Sequence, residues 1–298
     1  MPSPSEQADA KAFVHRPLQG REPRRRGPAF AAEIADYAPP AGMAAVWYLS
    51  QATVVWKAAG STLWIDPYLS INPGRRYPPL CRAQDVRDAT GVLITHEHLD
   101  HLDGASCREL ARSCPETVFV APPLCRTRLE RAGVPGERIL SPHTGETVAV
   151  GSWRVTPFPA AHEEVEWTAE HGHRWTGYVA EADGLALYHA GDTVVCDELA
   201  AALLPWVGRL DLAMLPINGR DYFRRSIDIL GNCGFREAAE LAMRLGAGLH
   251  VPLHYDLFAP GNAEWPGRFL DYIHDRAPYL RVAVPAPGQR LLIEPRNA

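Results

Sequence analysis

The sequence predicts an α/β fold with four layers, α/β/β/α, in which two β-sheets lie face to face between layers of helices. Two observations support this prediction. Each half of the chain begins with short strands joined by tight turns, and segments with a helical spacing of apolar residues follow them. The 298 residues, 46% of them hydrophobic, are enough for one large globular domain.

In the first half, apolar segments at Ala45–Lys57 and Ser61–Ile65 flank a turn that contains Gly60, and this pattern predicts a hairpin. The run Gly91–Thr95 is too short for a helix and is rich in β-branched residues, which predicts a buried strand. The elements expected next are a helix, a strand and a second helix, at Gly104–Ser113, Val118–Ala121 and Leu124–Ala132.

The second half is expected to begin with a hairpin around Gly151-Ser152. Its clearest helix is Phe235–Leu245, because apolar residues recur on one face and Gly246 follows as a stop. The other expected elements are strands at Thr147–Val150, Trp153–Thr156, Leu185–Ala190, Leu212–Leu215, Leu249–Leu253, Leu280–Val284 and Arg290–Ile293, and helices at Asp197–Leu204 and Glu264–Asp275.

Residues 1–40 are rich in proline and arginine and predict an extended polar arm, whereas residues 41–298 are expected to form the folded domain. The N-terminus has no apolar core of the kind found in signal peptides, and no apolar run is long enough to cross a bilayer, which predicts a cytoplasmic protein. Six cysteines with irregular spacing are expected to be free thiols. The net charge of −5 argues against a nucleic-acid surface.

Three histidines and an aspartate lie within six residues directly after Gly91–Thr95, in the stretch His96-Glu97-His98-Leu99-Asp100-His101. This stretch is expected at a strand tip, where the chain turns out of the core. Clustered titratable groups destabilise a loop unless a cation or a hydrogen-bond network compensates them. Imidazole and carboxylate suit zinc, iron or manganese, so the stretch predicts half of a dinuclear metal site rather than an exposed polar loop.

Three later strands are also expected to lead to residues that bind metals. His162 follows the second hairpin, Asp192 follows Leu185–Ala190, and His254 follows Leu249–Leu253. One such residue would mean little, but their recurrence after strands predicts that they join the histidine cluster.

The chain resembles the metallo-β-lactamase superfamily over about residues 44–294, through seven metal-binding positions: His96, His98, Asp100, His101, His162, Asp192 and His254. The resemblance implies that residues 41–298 form a hydrolase domain with two divalent cations, zinc or manganese in the first place and iron as a further option. It implies that His96, His98 and His162 hold one cation. Asp100, His101 and His254 would hold the other, with Asp192 bridging.

A narrower resemblance, to the L-ascorbate-6-phosphate lactonase-like branch, rests on segments outside the metal motif. These are Trp47-Tyr48-Leu49, Trp64–Pro67, Leu215–Phe223, Gly231-Asn232 and Pro252–Asp256. The branch includes many bacterial hydrolases, so it implies a class of reaction and leaves the substrate open.

A divalent cation lowers the pKa of bound water from about 15.7 towards roughly 7, and two cations about 3.5–4 Å apart can hold a hydroxide between them. The expected reaction is attack of this hydroxide on a carbonyl or phosphoryl centre. Asp100 is expected to orient the nucleophile and to move a proton to the leaving group. Asp66 and His189 are expected to orient ligand side chains; the alternatives are a turn-forming Asp-Pro pair and a buried structural histidine.

Five residues are expected to bind substrate beside the metals: Asn218, Arg220, Tyr222, Asn232 and Tyr255. Arg220 can clamp a phosphate or carboxylate with two hydrogen bonds, which favours an anionic substrate. It can equally pair with Asp221 or Asp228 and shape its own loop.

The leading prediction is a metal-dependent hydrolase of a small, anionic ester, lactone or phosphate-bearing molecule. The first alternative is a phosphodiesterase that acts on a nucleotide or a phospholipid. Oxygen chemistry at a di-iron site is disfavoured by His98, since that redox branch typically carries glutamate there. A non-catalytic metal-binding scaffold is disfavoured because all seven ligand positions are filled. The expected partner is the small-molecule substrate, and self-association into a homo-oligomer is left open.

Overall fold

The computed structural model describes residues 25–258 and 264–296 and confirms the α/β sandwich. The first sheet contains β1 (Ala44–Ser50), β2 (Thr53–Ala58), β3 (Ser61–Ile65), β4 (Gly91–Leu93), β5 (Val118–Val120), β6 (Ile139–Leu140) and β15 (Arg290–Ile293). The second contains β7 (Val148–Val150), β8 (Trp153–Pro159), β11 (Thr176–Ala182), β12 (Leu185–His189), β13 (Leu212–Pro216) and β14 (Leu249–Leu253). A separate short hairpin consists of β9 (Trp167–Thr168) and β10 (Gly172–His173).

The spatial orders are β15-β1-β2-β3-β4-β5-β6 and β14-β13-β12-β11-β8-β7. In each sheet, antiparallel pairs at one side give way to parallel pairs, which run from β3 to β6 and from β12 to β14. Parallel neighbours end at the same edge of their sheet. The loops that follow β4, β12 and β14 can therefore carry functional side chains to a common place.

Helices cover the outer faces of the two sheets. Those packed with the first sheet are α1 (Pro28–Asp36), α2 (Gly104–Ser113) and α3 (Pro123–Ala132). Those packed with the second sheet are α4 (Asp197–Leu203), α6 (Phe235–Leu245) and α7 (Pro266–Arg276), while α5 (Tyr222–Arg225) is a single exposed turn. Short 3-10 turns occur at Ala83–Asp85, Gly136–Arg138 and Leu204–Trp206.

Side-chain alternation along the strands divides the interior into two cores. Val46, Tyr48 and Trp56 belong to the core between the sheets, whereas Trp47 and Trp64 belong to the core under the first-sheet helices. Because both faces of the first sheet are covered, its long strands are buried at every position.

The longer strands of the two sheets differ from the sequence prediction at two places: one predicted strand is divided, and one observed strand is not predicted. The predicted single strand Ala45–Lys57 is two strands, since the chain reverses at Gln51-Ala52. Strand β11 is absent from the sequence predictions because Gly177 and two alanines weaken the strand preference of its segment. Its pairing with both β8 and β12 supplies the missing stabilisation.

The predicted strand Leu280–Val284 is not a regular strand. Val282 makes one isolated parallel bridge to His250. Pro285 and Pro287 follow, and neither can donate a backbone hydrogen bond, so the pairing does not continue.

The prediction of an extended arm is wrong over Pro28–Asp36, which form α1. The helix starts with proline at its first position, and it buries Phe30, Ala31 and Ile34 against the first sheet. Residues 1–24 of the predicted arm lie outside the described residues, and the boundary at residue 40 stays a prediction.

Lys57 fixes α1 to the sheet. Its buried ammonium donates hydrogen bonds to the backbone oxygens of Ile34 and Ala35, at 2.9 and 2.7 Å, and pairs with Asp88. Lys57→Met keeps the apolar stem but leaves the carboxylate and two carbonyls without this donor. We expect it to lower the free energy of unfolding by about 2–3 kcal/mol. Urea denaturation measures this loss, and an unchanged midpoint would contradict it.

All six cysteines are free, as the sequence predicts, and five of them are buried. Within residues 25–258 and 264–296, no helix combines the length and the apolar character that crossing a bilayer requires.

Candidate metal centre

The seven predicted ligands converge where loops from both sheets meet, after β4, β8, β12 and β14. Three overlapping groups of donor atoms form there, each with its atoms within 4.8 Å of one another. The groups are His96, His98 and His162; His96, His101 and Asp192; and Asp100, His101 and His254.

Asp192 lies between the two outer groups. One carboxylate oxygen is 3.4 Å from His101 Nε2, and the other is 3.5 Å from His162 Nε2 and 3.2 Å from His254 Nε2. The Asp192 side chain is buried. It thus contacts side chains of both cation sites that the sequence resemblance implies.

Three donor atoms of the cluster are buried without a hydrogen-bond partner among the described residues. They are His96 Nε2, His101 Nε2 and Asp192 Oδ1; the last two lie within ion-pair distance of each other, at 3.4 Å, but without the geometry of a hydrogen bond. An unpaired buried polar atom costs about 1–3 kcal/mol and is rare in native proteins. Imidazole and carboxylate are also ligands that divalent transition metals accept. The donor set therefore fits metal ions.

The three-histidine group is electrically neutral. Burial lowers the pKa of His96 well below its usual value, and the neighbouring His101 adds to this effect. Burial also lowers the pKa of His98 and the pKa of His162. These imidazoles therefore offer lone pairs at neutral pH without first losing a proton.

The second group carries paired charges instead. Burial opposes charging of its histidines, but Asp192 and Asp100 outweigh burial and raise the pKa of His101 and the pKa of His254, the latter to about 9. Burial likewise opposes ionisation of the two carboxyl groups, but His101 and His254 outweigh it and lower the pKa of Asp100 and the pKa of Asp192. A divalent cation would replace these protons as the positive partner of both carboxylates.

Hydrogen bonds at Nδ1 orient two of the imidazoles. Asp66 Oδ2 accepts from His101 Nδ1 and from Thr95 Oγ1, both at 2.7 Å, and Asp66 Oδ1 accepts from the Thr95 backbone N–H at 2.8 Å. His162 Nδ1 lies 2.8 Å from the carbonyl oxygen of Gly231. Both arrangements leave Nε2 directed at the other ligands.

His189 acts on the ligand loop through the backbone. Its Nε2 lies 2.9 Å from the carbonyl of Ala52, and its Nδ1 accepts from the Gly191 backbone N–H at 3.1 Å. It therefore supports the residue next to Asp192, and among the described residues these two hydrogen bonds reach the main chain rather than a predicted ligand side chain.

Two residues at the centre are absent from the sequence predictions. Gln51, in the turn after β1, contacts Asp100 and His254. Trp175 is fully buried, with its ring centroid 5.1 Å from that of His96 and 5.2 Å from those of His98 and His162. Glutamine and tryptophan are not typical metal ligands, and neither residue belongs to the histidine motif. The sequence therefore gives no signal for them, and only the fold brings them to the site.

The contacts of the five residues predicted to bind substrate do not indicate one common binding surface. The guanidinium of Arg220 donates hydrogen bonds to Glu237 Oε2 at 2.7 Å and to the backbone carbonyl of Asn232 at 3.1 Å. Asp221 and Asp228, the partners considered from the sequence, do not make these contacts. Asn218 and Asn232 are buried and hydrogen-bonded to each other at 3.0 Å. Tyr222 is largely exposed, and Tyr255 stacks on Tyr48.

Gly191 permits the turn that carries Asp192. Its φ is +63°, and an added Cβ would lie 2.6 Å from the carbonyl oxygen of Thr176. Gly184 also has a positive φ, +82°, but a Cβ there would meet nothing within 4 Å. Gly184→Ala therefore measures the backbone cost alone, about 1–2 kcal/mol.

We expect Gly191→Ala to cost at least about 1 kcal/mol more than Gly184→Ala, because a steric clash adds to the same backbone strain. Denaturant unfolding of the metal-free proteins measures both costs. Equal losses in the two variants would show that the close approach at Gly191 has no energetic weight.

The family model described as "Beta-lactamase superfamily domain" matches residues 62–255, more than half of the chain. The chain belongs to the metallo-β-lactamase superfamily. A metal-dependent hydrolase of Methanoculleus marisnigri is 31% identical to it over 244 residues, which cover 81% of this chain and 93% of the relative.

A second relative, from Caenorhabditis elegans, is named N-acyl-phosphatidylethanolamine-hydrolyzing phospholipase D 1. It is 24% identical over 253 residues, 77% of this chain and 68% of that protein. The solved structure of Igni18, a metallo hydrolase from Ignicoccus hospitalis, has a TM-score of 0.65 and 22% identity and covers 85% of this chain and 100% of that one. At this identity the structural likeness shows the fold alone. The relatives show that the protein is a metal-dependent hydrolase, and the lactonase-like branch stays a prediction.

Proposed function

We propose that the protein uses two divalent cations, zinc or manganese in the first place and iron as a further option, to hydrolyse an ester, lactone or phosphate bond in a small anionic molecule. The convergence of imidazole and carboxylate donors from four loops carries this proposal, together with the three buried donor atoms that make no hydrogen bond among the described residues. One cation would be held by His96, His98 and His162, the other by Asp100, His101 and His254, with Asp192 shared. Bound cations supply Lewis acidity and acidify water towards a pKa of roughly 7.

Asp100 is the proposed catalytic residue. Its side chain is 21% exposed, whereas the side chain of Asp192 is 3% exposed. Asp100 is therefore the carboxylate of the cluster that reaches solvent. It can orient an attacking water molecule, accept a proton from it and return that proton to the leaving group.

The segment 219–231 is the proposed substrate wall beside His162, which contacts the carbonyl of Gly231. Asn218 and Asn232 would set the shape of this wall from within, since both are buried. Arg220 is engaged by Glu237, so preference for an anion would come chiefly from the cations themselves.

A second candidate is hydrolysis of a phosphodiester in a phospholipid. Exposed apolar side chains on the same segment favour it, because Tyr222, Phe223 and Ile227 are 79%, 78% and 67% exposed. The exposed Arg225 lies among them. Grouped apolar side chains beside basic ones suit the surface of a lipid bilayer. The Caenorhabditis elegans relative is named as a phospholipase, which is consistent with this candidate.

A hydrolysis screen of manganese-loaded and zinc-loaded protein tests both candidates. The screen contains anionic lactones, phosphate-bearing esters, acyl esters, nucleotide phosphodiesters and phospholipid vesicles. Hydrolysis of the soluble anionic compounds supports the leading candidate. Preference for vesicles that is lost in Phe223→Ser supports the second. Tight cation binding without hydrolysis of any class would support the scaffold interpretation instead.

We also propose a cytoplasmic location, which the six unpaired thiols support because such thiols persist in reducing compartments. Homo-oligomer formation stays a prediction.

A further inference from the structure

Gln51 lies in the turn between β1 and β2, and the backbone of this turn is strained. The φ angle is 139° at Ser50 and 55° at Gln51, and the pairing of β1 with β2 shifts register at this point. Gln51 is only 1% exposed. Strain of this kind costs about 1–3 kcal/mol per residue and is concentrated at functional sites.

The backbone of Gln51 is tied to the ligand loop after β14. Its carbonyl accepts from the His254 backbone N–H at 2.8 Å, and its own N–H donates to Asp256 Oδ1 at 3.0 Å. Asp256 also accepts a hydrogen bond from the Tyr77 hydroxyl. His254 itself has a φ of 58°. These bonds hold the turn and the loop together across a sequence separation of 203 residues.

The Gln51 amide reaches two ligands of the second group. Its Nε2 lies 2.8 Å from Asp100 Oδ2 and 2.9 Å from His254 Nε2. The same Asp100 oxygen is 3.4 Å from His254 Nε2 and 3.7 Å from His101 Nε2. An amide donates hydrogen bonds without carrying a charge. It can therefore orient the Asp100 carboxylate and leave the negative charge of that group available to a cation. A lysine or arginine at this position would neutralise the same charge.

We propose that Gln51 is a positioning residue of the second cation site and fixes Asp100 relative to His254. This rests on the proposed function, which assigns a cation to Asp100, His101 and His254. Loss of a side chain that orients metal ligands typically weakens metal binding by about 10- to 100-fold. Since the amide contacts lie in the second group, the effect is expected at one cation site and not at both.

Titration with Mn²⁺, followed by electron paramagnetic resonance of the free ion, tests the proposal. Gln51→Met removes the amide and keeps a side chain of similar length. Gln289→Met is the matched control, because Gln289 accepts from the Ala286 backbone N–H outside the site. The wild type and the control are expected to bind two ions. In Gln51→Met one of the two dissociation constants is expected to be unchanged, and the other, that of the site held by Asp100, His101 and His254, is expected to rise about 10- to 100-fold.

Gln51→His provides the rescue, because histidine keeps an N–H donor and tolerates a positive φ. Recovery of the affected dissociation constant in this variant supports positioning by the donor. Equal weakening of both sites, two unchanged dissociation constants, a failed rescue, or a Gln51→Met protein that does not fold would each overturn the proposal. A wild-type protein that binds fewer than two ions would overturn the dinuclear centre of the proposed function instead.

Discussion

Asp192→Asn is expected to reduce kcat/KM by roughly 1,000-fold or more, since a bound divalent cation supplies several kcal/mol of transition-state stabilisation and each 1.36 kcal/mol is tenfold in rate. Asp192 contacts His101, His162 and His254, so it is common to both proposed cation sites. The asparagine keeps the shape of the side chain but removes the negative charge that would attract both proposed cations. Hydrolysis rates and metal content by mass spectrometry, measured on the same preparation, check the two effects.

Asp183→Asn is the matched control for this variant. Asp183 lies in the turn between β11 and β12, where its carboxylate accepts from the Gly42 backbone N–H, and asparagine tolerates its φ of 53°. The control is expected to retain both metal and activity. Full activity in Asp192→Asn would show that the Asp192 carboxylate is not needed to bind the cations, and equal losses in the two variants would show a general effect of the substitution.

Asp100→Asn is expected to lower kcat by about 100- to 10,000-fold, the range that a positioned proton-transfer group contributes. The KM is expected to change little, because asparagine still offers an oxygen and Asp100 is assigned to proton transfer rather than to substrate contacts. Steady-state kinetics at saturating Mn²⁺ separate the two parameters. A large rise in KM with an unchanged kcat would assign Asp100 to substrate binding instead.

The residues that converge at the candidate metal centre could be predicted because their chemistry is local. His96, Asp192 and His254 each follow an apolar strand, and a metal-binding residue type at a strand end is visible in the sequence alone. The layer order could be predicted for the same reason, since hairpins and amphipathic helices are patterns of neighbouring residues.

Contacts between distant segments explain what could not be predicted. Glu237 accepts a hydrogen bond from Arg220 across a sequence separation of 17 residues, and it lies on a helix whose direction the sequence does not fix. Trp175 reaches the histidines because β11 places it there, and β11 itself depends on its neighbours. The helix α1 forms in a proline-rich region because Lys57 and the first sheet offer it a docking face.

Anomalous diffraction from crystals grown with Mn²⁺ or Zn²⁺ tests the central claim most directly. We predict two peaks where the four loops meet, one at ligand distance from His96, His98 and His162, the other at ligand distance from Asp100, His101 and His254. For zinc these distances are about 2.0–2.2 Å. Crystals that show strong anomalous signal elsewhere and none within this cluster would contradict the account.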